Sequence, residues 1–139
     1  MSDFWTDTVP FSAAPSDGIM RPYLWLILRS PDGTEERILG LVDSGADKTV
    51  LPMEYAELLG YTDEDLVDQE VGQVKGMICG RDAQRPCEAW VFGHPELTFE
   101  MSPIFIETFE ALWGRTDLMN AFRVSISDRR RELGLHLPP

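Results

Sequence analysis

The sequence predicts a mostly β fold of the barrel type, with many short strands and few helices. Short apolar, β-prone runs recur along the chain, and turn residues separate them. Only two segments have the composition of a short helix. The clearest turn, the Pro-Asp-Gly-Thr sequence at 31–34, joins an apolar run at 22–30 to a second run at 37–42. This pattern is typical of a β-hairpin.

The remaining elements follow in order. A loop is expected over 43–46, and a β-prone stretch over 48–51. A short helix is expected over 52–60, because proline suits the first turn of a helix and glycine its end. The later predictions are two β-prone arms over 71–92 around a glycine-bracketed segment at 76–80, strands near 97–101 and 103–106, a helix at 116–122, and strands at 124–126 and 133–137.

The chain is predicted to form one domain preceded by an arm. Its 139 residues fit a single domain of ordinary size, and no repeat or linker divides them. Residues 1–20 mix acids, prolines and aromatics, so an irregular N-terminal arm is expected there. Residues 21–139 are expected to form the folded domain.

Composition excludes several classes of function. The chain has 12 basic and 24 acidic residues, a formal net charge of −12, which repels nucleic-acid backbones. No apolar run is long enough to span a bilayer, and no secretory leader is visible, so a cytoplasmic protein is expected. Two cysteines and two histidines stand too far apart for a typical structural zinc site, so no metal and no cofactor are expected.

Two motifs are candidates for chemistry. Asp43-Ser44-Gly45 follows an apolar run and leads through Ala46 into a β-prone stretch. Alone, an Asp-Ser/Thr-Gly tripeptide arises by chance in about one chain of this length in twenty. Some seventy residues downstream, the segment 111–118 places Gly-Arg after a run of apolar residues. Two motifs in this order are far more specific than either one.

Together the motifs resemble retropepsin-like aspartic proteases, and the resemblance covers about residues 21–137. It implies an aspartic endopeptidase that cleaves a peptide or polyprotein. Such catalysis needs two adjacent carboxylates, one protonated and one ionised, to activate a water molecule. The chain has one such loop, so the resemblance implies a homodimer in which each copy supplies Asp43.

The resemblance also implies a role for each matching residue. The implied catalytic group is Asp43, Ser44 and Gly45, with Ser44 bonding across the two-fold axis. The implied substrate contacts are Ala46 and Asp47 in the loop, and a flap formed by Gly76, Met77, Ile78, Cys79 and Gly80. The implied structural supports are Thr49, Gly114 and Arg115, with Arg115 paired to Asp47.

Several features depart from the family pattern. Ser44 replaces the commoner threonine, and Lys48 stands where an acidic or polar residue is usual. Trp113 is larger than the usual aliphatic residue, and Thr116 is an extra residue between the Gly-Arg pair and Asp117 compared with retroviral forms. Three alternatives stay open. Asp43 could be an ordinary turn aspartate. The chain could be a catalytically quiet, peptide-binding dimer of the same fold. It could also be a structural module of a phage or mobile-element assembly.

Overall fold

The computed structural model describes residues 5–73 and 76–137, which form fourteen β-strands and two short α-helices. The strands are β1 (Trp5–Pro10), β2 (Ser12–Ala13), β3 (Met20–Arg21), β4 (Tyr23–Arg29), β5 (Glu35–Val42), β6 (Val50–Pro52), β7 (Leu66–Gln73), β8 (Gly76–Ala83), β9 (Cys87–Val91), β10 (His94–Met101), β11 (Ile104–Ile106), β12 (Ala111–Trp113), β13 (Arg123–Ser127) and β14 (Glu132–Leu137). The helices are α1 (Glu54–Leu58) and α2 (Leu118–Ala121). The mostly β class predicted from the sequence is confirmed. Among the described residues, no helix is long and apolar enough to cross a lipid bilayer.

The hairpin predicted at the start of the domain is confirmed as β4 and β5. The two strands pair antiparallel along the whole of β4. At the turn, the Ser30 N–H donates to the Thr34 carbonyl at 2.9 Å. Gly33 has a φ of +94°, a left-handed value that glycine adopts without a steric penalty. The local turn chemistry therefore fixes this pairing.

Nine of the fourteen strands form one sheet, in the order β10-β9-β4-β5-β12-β6-β11-β8-β7. The short strand β12 lies between β5 and β6, parallel to the first and antiparallel to the second. The loop at 43–49 connects those same two strands. The fold therefore brings the end of β12 beside this loop.

The predicted closure into a barrel is wrong for the single chain. The sheet ends at β10 on one side and at β7 on the other, and no pairing joins these edges within the described residues. The reason lies in the hairpin of β7 and β8, whose outer arm β7 pairs only with β8. Strand β8 in turn meets β11 only at Arg81 and Asp82, so the hairpin extends beyond the sheet.

The prediction of an irregular N-terminal arm is wrong for residues 5–10. They form β1, which pairs antiparallel with β14 over six residues, and β13 completes a three-stranded sheet. Val9 packs against the main core, and Phe11, the residue that follows β1, is buried. The arm is ordered by a partner more than a hundred residues away, which local composition does not reveal.

The predicted helices are confirmed in shortened form. Helix α1 lies within the predicted range 52–60, but Pro52 is the last residue of β6 instead of part of the first helical turn. Gly60 has a φ of +79° just beyond the helix, as expected for a glycine at a C-terminus. Helix α2 lies within the predicted range 116–122.

The main core is filled by apolar side chains from the nine-stranded sheet, the three-stranded sheet and both helices. Trp113 is fully buried, and its indole Nε1–H donates to the Leu24 carbonyl at 2.9 Å. A buried indole needs such a partner. A smaller cluster, separate from the main core, contains Val50, Ile104 and Ile106 with the partly buried Val71 and Leu112. This second cluster lies under the candidate site.

Candidate functional site

Asp43 stands at the end of β5, where the chain leaves the sheet. Its N–H donates to the Trp113 carbonyl at 3.1 Å, which fixes the loop to β12. Its carboxylate Oδ1 accepts the Gly45 N–H at 2.8 Å. The side chain is half-buried, and the neighbouring Ser44 is exposed. The carboxylate is therefore held in one orientation while it stays accessible to a ligand.

The glycine of the second motif supports the loop through close backbone packing. The Gly114 N–H donates to Thr49 Oγ1 at 3.4 Å. A Cβ at Gly114 would overlap the Lys48 carbonyl and lie 2.9 Å from the Thr49 nitrogen. Thr49 itself is fully buried. No side chain fits at 114, which gives a physical reason for glycine there.

The next two residues bind the other side of the loop. The Arg115 N–H donates to the Ala46 carbonyl, and the Thr116 N–H donates to the Asp47 carbonyl, both at 2.9 Å. Two motifs some seventy residues apart thus form one hydrogen-bonded unit. Two of the implied structural supports, Gly114 and Arg115, therefore contact the segment 43–49 directly.

The predicted Arg115–Asp47 ion pair is present, but it is not buried. The guanidinium contacts Asp47 Oδ1 directly. The side chains are 57% and 75% exposed, respectively. In the single chain the pair is therefore solvent-screened and contributes little to stability.

A groove of about 440 Å³ lies in front of the Asp43 loop. Its apolar lining comes from Val50, Ile104, Leu112 and Val71, the smaller cluster described above. The loop contributes Asp43 and residues 45–48, and the opposite wall is residues 69–72 of β7. Charged or polar side chains border this apolar part from both the loop and β7. A cleft that combines apolar and polar groups suits an extended ligand.

The predicted flap is shifted along its hairpin. The segment 76–80, expected to be the tip, is the first part of β8 and pairs with residues 69–73 of β7, and residues 74 and 75 lie outside the described residues. Of the groove-lining residues, none comes from 76–80. Met77 and Cys79 are exposed. A Cβ at Gly80 would lie 2.8 Å from the Ile106 side chain, so this glycine permits close packing.

The arm that faces the groove is β7, which sequence reasoning missed. Gln69, Glu70, Val71 and Gly72 form this wall. The glycines at 76 and 80, on which the flap prediction depends, lie on the neighbouring arm β8. The signal that points to β7 is its antiparallel pairing with β8, which places 69–72 opposite 77–80.

Lys48 connects the Asp43 loop to the base of the hairpin. Its Nζ lies 2.8 Å from Asp82 Oδ1 on β8, and the two side chains are 35% and 17% exposed. The unusual lysine at this position is therefore neutralised by an acid from another element. Its charge does not stand free in the groove.

A second carboxyl group lies behind the loop. Asp117 Oδ1 accepts the Ser102 N–H at 3.3 Å, whereas its Oδ2 is buried without a hydrogen-bond partner. Burial raises the pKa of Asp117, although the neighbouring Thr49 hydroxyl and Lys48 charge oppose this. A protonated Asp117 therefore suits the packed state better than an ionised one.

Comparison of the chain with protein-family models and with curated proteins finds no match. The likeness to retropepsin-like proteases therefore stays a prediction. The group of possible metal ligands in the described residues, Asp7, His94 and Glu96, is not part of the groove lining.

Proposed function

We propose that the protein is a retropepsin-like aspartic endopeptidase that acts as a homodimer on a peptide or polyprotein substrate in the cytoplasm. One observation carries the proposal: two motifs distant in sequence lock a single aspartate, Asp43, at the edge of an apolar groove. A turn aspartate with a purely local role would not need a second, remote segment to hold its loop.

The chemistry requires a second carboxyl group, which a second copy of the chain supplies. The groove also contains Asp47 and Glu70, but Asp47 is already paired with Arg115. In a two-fold dimer the two Asp43 side chains share one proton. The ionised carboxylate takes a proton from a water molecule, and the oxygen of that water attacks the peptide carbonyl carbon. The other carboxyl group donates its proton to the carbonyl oxygen.

The groove suits a peptide main chain with apolar side chains. The partly buried Val71 and Leu112 offer apolar surface for side chains of an extended ligand, and they pack on the buried Val50 and Ile104. Gly45 has no Cβ, so a ligand backbone can approach the loop closely. Residues 69–72 cover the groove from the hairpin side. No nucleic acid or membrane takes part in this proposal.

The runner-up, a catalytically quiet peptide-binding dimer, uses the same groove but needs no dyad. The test is digestion of an unbiased peptide library by wild type and by Asp43→Asn, from acidic to neutral pH. Wild type should cleave under acidic conditions. The variant should lose about 10²–10⁴-fold in rate, because it has no group that can accept the proton.

A matched control separates lost chemistry from lost folding. Asp128→Asn changes the same chemical group within the turn between β13 and β14, and it should leave cleavage unchanged. Peptide binding without cleavage in wild type, equal in Asp43→Asn, would favour the quiet dimer. The assembly module would be favoured if wild type neither bound nor cleaved peptides but formed a stable complex with a structural partner.

A further inference from the structure

His94 brings one ring nitrogen close to two carboxylates. Its Nδ1 lies 3.4 Å from Asp7 Oδ2 and 3.6 Å from Glu96 Oε1. The three potential ligand atoms all lie within 4.8 Å of one another. Asp7 belongs to β1 of the three-stranded sheet, whereas His94 and Glu96 belong to β10 of the nine-stranded sheet. The cluster therefore joins two sheets.

An irregularity in β10 places the two ligands of that strand on the same side. The pairing of β10 with β9 shifts register between His94 and Thr98. Leu97, within this irregular segment, and Phe99 and Met101, beyond it, are buried in the core. The ring nitrogen of His94 and a carboxylate oxygen of Glu96 lie 3.6 Å apart, so the two side chains come together at the irregular part of the strand. Bulges commonly redirect side chains in this way.

Asp7 is an acid at a position where an apolar residue would be expected. It alternates with Val9, which packs against the core, so both occupy the inner face of β1. Its side chain is only 20% exposed, and Oδ2 is buried without a hydrogen-bond partner. A buried carboxylate oxygen without a partner is costly, and a cation would satisfy it.

Two of the three spacings between the potential ligand atoms are close to those of a tetrahedral metal centre. Bonds of about 2.0–2.2 Å from zinc to nitrogen and oxygen place neighbouring ligand atoms about 3.3–3.5 Å apart. The two measured distances from His94 Nδ1, 3.4 and 3.6 Å, are close to this edge length. One nitrogen with two oxygens is a donor set for zinc, whereas calcium and magnesium prefer oxygen alone.

We propose that Asp7, His94 and Glu96 bind a divalent transition-metal ion, with Zn²⁺ the best match. The ion clamps the N-terminal strand β1 to the edge strand β10. It occupies a site apart from the groove, so this inference does not depend on the proposed protease activity. The competing interpretation is a simple ion pair between a protonated imidazole and two carboxylates.

The test is Zn²⁺ titration of the full chain after treatment with a chelator. Calorimetry should show one ion per chain, and Zn²⁺ should raise the melting temperature and slow amide exchange at 5–10. His94→Ala and Glu96→Gln should each weaken Zn²⁺ binding at least about tenfold. Loss of a residue that only orients a metal ligand already lowers metal affinity by about 10–100-fold. Glu96 is 53% exposed, so its variant should fold even if the histidine variant does not.

Two controls address the other metal-binding side chains. His136→Gln and Cys79→Ser should keep the wild-type affinity for Zn²⁺. The proposal is overturned if wild type shows no saturable Zn²⁺ binding, which leaves the simple ion pair. It is equally overturned if binding survives both ligand variants and disappears in Cys79→Ser.

Discussion

The indole of Trp113 occupies the space that a side chain at Gly40 would need. A Cβ at position 40 would lie 2.6 Å from the indole nitrogen. The two residues lie on neighbouring parallel strands, β5 and β12. The Trp113 carbonyl also accepts the Asp43 N–H. The contact between Gly40 and Trp113 therefore sets the position of the candidate catalytic loop.

Gly40→Ala should destabilise the fold and disturb the loop. The extra methyl group forces the buried indole to move, and overpacking of this kind costs about 1–3 kcal/mol. Chemical denaturation measures the loss of stability. Gly72→Ala is the matched control, because a Cβ there meets only the Met77 sulfur at an ordinary 3.8 Å. Equal stability of the two variants would contradict the packing described here.

Arg115→Ala should have a small effect on the stability of the single chain. A buried pair would cost about 3–5 kcal/mol when broken. The exposed pair with Asp47 should contribute only about 0–1 kcal/mol. Thermal melts at low protein concentration, where single chains predominate, measure this effect. A loss of stability as large as that expected for a buried ion pair would show that another contact protects the pair from solvent.

Breaking the Lys48–Asp82 pair should loosen the hairpin more than the core. The pair joins the Asp43 loop to the base of β8 and is only partly exposed. Lys48→Met should therefore accelerate amide exchange in 66–73 and 76–83 and leave β4 unchanged. A double-mutant cycle with Asp82→Asn should give a coupling of about 0.5–1 kcal/mol. Additive effects of the two substitutions would show that the pair carries no stability.

Asp117 should make the fold less stable as pH rises. Its pKa is raised in the folded state by burial, so the protonated form favours folding. Stability from this group is present below the ordinary aspartate pKa of 3.8 and is lost as pH rises through the higher folded value. Asp117→Asn should therefore raise the melting temperature at pH 7 and change it little at pH 3.

The control for Asp117→Asn is a substitution at an aspartate whose pKa is lowered, not raised, in the folded state. The ion pair with Arg21 lowers the pKa of Asp17, so this group favours folding at neutral pH and not in acid. Asp17→Asn should lower the melting temperature slightly at pH 7, or leave it unchanged. A rise at pH 7 in both variants would point to relief of the overall negative charge instead of burial.

The parts predicted well from sequence depend on neighbours along the chain. The turn at 31–34 carries enough information to define β4 and β5, and Gly60 marks the end of α1. The loop predicted over 43–46 is also present, and the predicted support Gly114 has no room for a Cβ. A glycine with no room for a Cβ and a loop of small residues leave a local sequence signal.

The parts of the fold and of the candidate site that the sequence does not predict depend on residues far away in the chain. Strand β1 pairs with β14, and no local feature of 5–10 identifies that partner. The groove wall at 69–72 is defined by which arm of the hairpin faces the loop. The exposure of Arg115 likewise depends on what packs around it. These are tertiary facts, which a pattern of residue types does not contain.

Mixing wild type with Asp43→Asn should reveal whether two chains share one active site. If each site needs Asp43 from both copies, only wild-type homodimers cleave substrate, and random pairing makes them about a quarter of an equal mixture. Cleavage per total chain should then fall to about a quarter of the wild-type rate. Sites contained within single chains would give a linear fall to about half. The two proteins must be mixed long enough before the assay for subunits to exchange between dimers. Sedimentation of the mixture at the assay concentration confirms that dimers are present. A linear dependence under those conditions would reject the shared dyad, even if both proteins fold and the wild type cleaves peptides.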